Sequence, residues 1–120
     1  MAARSYLIQV TNFTGQTLQL DRSKTDLAHG EWSNSGSDTP PDTIGNPTTG
    51  KFGSESDGFM TGTEGQATYA SSAGDFVIYW DNPYVGSDET SVQTPPGYTS
   101  TKEDSKGDNA TLKVVLYPTP

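Results

Sequence analysis

The stretch FVIYWDNPYVGS, residues 76–87, decides the fold. Phe76, Val77, Ile78, Tyr79 and Trp80 run together and then stop at Asp81-Asn82-Pro83, a sequence of turn formers. Aromatic and β-branched residues suit a pleated strand, and one that is apolar on both sides must be covered on both. Alternation places Phe76, Ile78 and Trp80 on one face, toward the core. Tyr79, and Tyr84 beyond the turn, then need a second layer, a partner or a membrane interface.

Working outward, residues 66–71 alternate around Ala67 and Tyr69, and Ala73-Gly74 reads as the turn of a hairpin into the Phe76 strand. At the start, residues 5–11 (SYLIQVT) set Tyr6, Ile8 and Val10 against Leu7, Gln9 and Thr11. Asn12-Phe13-Thr14-Gly15 then supplies a turn into residues 16–21, where Leu18 and Leu20 face inward, so an opening hairpin is predicted. Residues 33–50, with Pro40, Pro41 and Pro47 and Ile44 as their one aliphatic residue, read as a long loop. A short strand is expected at 51–55 around Phe52, and Phe59-Met60 reads as a brief apolar contact. After Ser87 a polar region extends through the charged run 101–109. Residues 110–117 close the chain as a strand with Leu112, Val114 and Leu116 on one face. No window sustains a 3.6-residue apolar period. The expected fold is all-β: a single domain over residues 1–120, an antiparallel β-sandwich of about seven or eight short strands with long loops.

Composition agrees. The chain has 120 residues, 30% of them hydrophobic and 10% aromatic, enough for one core without metal or disulfide staples. Its net charge of −8 and scattered Lys and Arg disfavour nucleic acid and generic anionic bilayers, so membrane binding would rest on aromatic insertion or on a neutral or zwitterionic headgroup. There is no cysteine, which excludes disulfides and thiolate chemistry. The start MAARSYLIQV carries no cleavage-site pattern, and nowhere do about 18 apolar residues run together, so neither a signal peptide nor a membrane-spanning helix is read.

Catalytic chemistry finds little footing. The single histidine, His29, lies in a polar connector with no nucleophile motif nearby, and the carboxylates fall mostly in turns. Asp81, Asn82, Asp88 and Glu89 could gather oxygens, but their spacing does not match an EF-hand loop. No enzyme activity, cofactor or metal is expected. The sequons at Asn12 and Asn109 are short enough to arise by chance.

TGTEG (residues 61–65), a hairpin, and then IYWDNPYVGS (residues 78–87) resemble the aegerolysin family, whose members carry a TGTEG-like turn and a strand ending in a YWD-x-P-W-G-S-like motif. The aromatic-aliphatic first strand, the N-x-x-G turn at residues 12–15 and Trp32 fit in order, so the resemblance covers most of the chain. It implies a small acidic β-sandwich, related in shape to actinoporins, that binds sphingolipid- and sterol-containing membranes. It further implies that lysis, where it occurs, needs a larger perforin-like partner. The family's lipid-contacting aromatics correspond to Tyr6, Trp32 and Tyr84, and the motif keeps Trp80 and Asp81. Val85 is an extra residue before Gly86, and Asp88 stands where relatives often carry Lys, a change that would repel a phosphate.

The expected function is lipid recognition through Tyr6, Trp32, Tyr79, Trp80, Asp81, Tyr84 and Asp88. The chain would be peripheral to the membrane, and either secreted without a classical signal peptide or cytoplasmic until release. The alternative is a soluble carbohydrate- or protein-binding sandwich, with the same aromatics stacking on a sugar or covering an interface in a homo-oligomer.

Overall fold

The computed structural model describes residues 2–120 and is a β-sandwich. Its strands are β1 (Ser5–Asn12), β2 (Leu18–Leu20), β3 (Asp26–His29), β4 (Glu31–Trp32), β5 (Thr43–Ile44), β6 (Thr48–Glu55), β7 (Thr63–Ser71), β8 (Gly74–Asn82), β9 (Glu89–Gln93), β10 (Tyr98–Asp104) and β11 (Asn109–Pro118). One sheet has the order β10-β11-β1-β6-β4 and the other β5-β2-β7-β8-β9, with β3 added to the edge of β7.

The alternations mark the inner faces correctly. Tyr6, Ile8 and Val10 of β1 and Leu112, Val114 and Leu116 of β11 meet Phe76, Ile78 and Trp80 of β8 in one core, each of them buried. Trp80 is its largest member. Its ring lies 5.7 Å from Phe52 and 6.1 Å from Trp32, and its indole N–H donates to Ser54 Oγ at 2.8 Å. The hairpin expected at Ala73-Gly74 is present, with Ser71 opposite Gly74.

Three expectations change. The opening hairpin does not form: β1 and β2 belong to different sheets, and the turn between them crosses the sandwich. Asn12 holds that crossing, its amide donating to Gln16 O and Ile44 O and accepting from Thr14. This buries Asn12 and Thr14 of the first sequon, whereas Asn109 is exposed. Second, β1 pairs with β11 in parallel, the exception to an antiparallel pattern. Third, the supposed loops hold strands. In β10, Tyr98, Ser100, Lys102 and Asp104 lie opposite Pro118, Leu116, Val114 and Leu112 and share their face; three of the four are polar and Lys102 stays exposed, so the apolar alternation is erased. Lys102 Nζ donates across to the Thr90 carbonyl of β9, bridging the rims of the two sheets. The long loop 33–50 likewise contains a helical turn, Ser33–Gly36, with Asn34 and Ser35 at left-handed φ, then β5 and the start of β6.

Candidate functional site

Residues 63–65 and 80–82 are neighbours across one ladder. Thr63 lies opposite Asn82, Glu64 opposite Asp81 and Gly65 opposite Trp80. Inward, Gly65 lets Trp80 and Leu27 close over the strand: a Cβ there would stand 2.8 Å from Trp80 Cζ2 and 2.5 Å from Leu27 Cδ2. At Gly62 a Cβ would meet Asn82 O at 2.5 Å. Both glycines are present because backbone and ring approach too closely for any side chain.

Asn82 ends β8 and ties together one end of the sandwich. It is buried, and its Nδ2 lies 3.1 Å from Ser5 O, 2.9 Å from Gly107 O and 2.9 Å from Asp108 O. The loop that follows, residues 83–88, is fastened by Arg4. Its guanidinium donates to Pro83 O (3.2 Å) and Tyr84 O (2.7 Å), lies 4.6 Å from the Tyr84 ring centroid and is 3.6 Å from Asp108. Arg4 was not singled out from the sequence, because a lone basic residue near a terminus carries no pattern.

Trp32, Tyr79, Asp81, Tyr84 and Asp88 are all half-buried. Tyr6 and Trp80 are core residues, 1% and 0% exposed, which corrects their assignment as lipid contacts: in this conformation neither presents a surface to a membrane. Tyr6 serves instead as a strut. Its hydroxyl reaches Asp104 at 2.8 and 2.9 Å and Asp88 at 3.4 Å, linking β1, β10 and the loop after Tyr84. Burial, then the Asp104 bond, pushes that hydroxyl's pKa well above its usual range. Asp88 is likewise raised, first by burial and then by the Asp104 charge beside it.

The outward face carries a charged row. His29, Glu64, Asp81 and Glu89 stand opposite one another across β3, β7, β8 and β9. Tyr79, two residues before Asp81, donates to Glu64 at 2.5 Å, and His29 Nε2 lies 3.8 Å from Glu64. Asp81 is raised in pKa by burial, then by the charges of Glu64 and Glu89, with His29 opposing. Three facing carboxylates disfavour the folded state. Among the described residues, no group of His, Asp and Glu is arranged to hold a metal ion. Beside the row lies an open groove of about 340 Å³, bordered by His29, Thr61, Glu64, Asp81, Pro83 and Tyr84.

Phe59 and Met60, expected to make an apolar contact, make none that buries them. They are 90% and 55% exposed, and Val85 is 85% exposed. Phe59 and Met60 share a surface depression with Tyr84, so the loop 56–62 and the loop 83–88 sit side by side. No helix among the described residues is long and apolar enough to cross a membrane.

No family model matches the chain. It is 29% identical over 116 residues, 95% of its length, to an uncharacterised protein of Dictyostelium discoideum, and it spans only 10% of that protein.

Proposed function

We propose that the chain is a peripheral lipid-recognition module that takes a zwitterionic headgroup at the Asn82 end of the sandwich. One observation carries the reading: the groove beside Tyr84 joins an aromatic ring to Glu64 and Asp81, with Tyr79 bonded to Glu64 behind them, His29 on its border and Arg4 over one face of the Tyr84 ring. Carboxylates and an aromatic ring together favour an ammonium group. An anionic headgroup would meet the carboxylates and a chain of net charge −8. The resemblance of residues 61–65 and 78–87 to aegerolysins supports the same class of ligand. On this reading the chain performs no catalysis, and lysis would require a larger pore-forming partner, since a single short strand cannot close a barrel.

Co-sedimentation with vesicles of phosphatidylcholine, of sphingomyelin with cholesterol, and of phosphatidylserine tests the reading. Binding is expected to the first two and not the third, weakened by about three- to tenfold in Tyr84→Ala and in Glu64→Gln. Absence of binding to every composition, or binding indifferent to both substitutions, would refute it. Glycan binding that survives lipid competition would instead favour the lectin-like alternative.

A further inference from the structure

We infer that Phe59, Met60 and Val85 form a two-loop insertion tip that enters the interfacial zone of an uncharged, zwitterionic bilayer. The inference rests on the headgroup reading and adds to it the element that would enter the membrane.

These three side chains are 90%, 55% and 85% exposed, so folding gains almost nothing from their apolar surface. The 56–62 turn is otherwise Ser, Asp, Gly and Thr, and the 83–88 turn is otherwise Pro, Tyr, Gly, Ser and Asp, so exposed aliphatic or phenyl side chains are the exception in both. Met60 is held at φ 58°, between Gly58 at 133° and the close approach at Gly62. Left-handed φ is unfavourable for methionine, so the surrounding structure fixes the conformation that exposes it. Val85 is held similarly: Gly86 follows at φ 119°, and Arg4 fastens the carbonyls before it. The two loops adjoin through Tyr84, an aromatic residue with a polar tip suited to the headgroup level.

Size and charge select the occupant. The three side chains together offer about 400–500 Å², below the roughly 800 Å² that each partner contributes to a stable protein interface. Shallow interfacial partition needs no such area. Glu31, Glu55 and Asp57 line the depression beside the tip and Asp88 ends its second loop, against Arg4, which is engaged with carbonyls and Asp108, and the exposed Lys106 near Asp88. That balance opposes an anionic leaflet and leaves a zwitterionic one.

The absence of native cysteine makes the test direct. Phe59→Cys and Val85→Cys, each labelled with an environment-sensitive fluorophore, are mixed with vesicles of sphingomyelin and cholesterol. Phe13→Cys serves as the control: Phe13 is 51% exposed and follows β1 at the opposite end from residues 56–62. Blue-shifted emission at positions 59 and 85 but not at 13 is expected. The double variant Phe59→Ser/Val85→Ser should bind these vesicles about tenfold or more weakly. It should also keep the wild-type melting temperature and wild-type binding of soluble phosphocholine measured by NMR. If wild-type protein binds vesicles while both labels stay unshifted, or the double variant binds undiminished, the tip is refuted and the headgroup reading stands. If wild-type protein binds neither vesicles nor phosphocholine, the headgroup reading fails and the tip fails with it.

Discussion

Replacing Asn82 should loosen one end of the sandwich from within. Its amide reaches three carbonyls, Ser5 O, Gly107 O and Asp108 O, with two N–H groups, so one hydrogen is shared. Each net hydrogen bond contributes about 1 kcal/mol; Asp108 O keeps the Ser5 N–H as a donor, and the loss of the amide at the other two carbonyls costs about 1 kcal/mol in total. Asn82→Ala should therefore destabilise the domain by about 3 kcal/mol, lowering the melting temperature by roughly 10–15 °C for a domain of this size. Asn82→Asp, nearly isosteric, should cost more near neutral pH because it aims a buried carboxylate at three carbonyl oxygens. Its charged form is disfavoured in the fold, so its folded pKa lies above the unfolded value. The deficit is full above the folded pKa and shrinks as pH falls through it, when the protonated carboxyl regains one donor. Urea denaturation followed by tryptophan fluorescence would measure both, with buried Trp80 as the reporter. An Asn82→Ala midpoint equivalent to less than about 1 kcal/mol of destabilisation, or an Asn82→Asp deficit independent of pH, would refute the role assigned to this amide.

Asp88 is raised in pKa by burial and by Asp104, so its ionised form weakens the fold above its folded pKa, and that cost disappears as pH falls below the ordinary carboxyl value. Asp88→Asn should therefore melt higher than wild type at pH 7, and thermal scans from pH 7 to pH 3 should show the advantage shrinking toward the acid end. Gly65→Ala would force a methyl to within 2.5 Å of Leu27 Cδ2 and 2.8 Å of Trp80 Cζ2. A loss of about 1–3 kcal/mol is expected, with an altered near-UV circular dichroism band from the displaced indole.

Much of the fold was legible because β-strands with one buried face announce themselves by parity. Phe76, Ile78 and Trp80, Tyr6, Ile8 and Val10, and Leu112, Val114 and Leu116 all face the core as the alternation requires. Strands whose inner faces are polar or too short to alternate, such as β3, β5 and β10, gave no such signal. The candidate site was less legible. Its aromatic residues were named, but Tyr6 and Trp80 proved to be internal and Arg4 was missed. Phe59 and Met60 read as packing residues because sequence hydrophobicity does not distinguish a side chain that is covered from one that is displayed.

By itself, then, the sequence determined the all-β class, the inward faces of the principal strands, and the hairpin turn at Ala73-Gly74, because side-chain period and turn chemistry are local properties of the chain. Tertiary structure alone decided the rest. Pairing β1 with β11 in parallel, and sending the chain from one sheet to the other after Asn12, depend on contacts between residues about a hundred positions apart or on a single buried amide. The same long-range pairing aligns His29, Glu64, Asp81 and Glu89 in one row and brings residues 56–62 beside residues 83–88. Local pattern cannot encode which strands become neighbours; burial of the common core selects that arrangement, and it fixes what the exposed end presents.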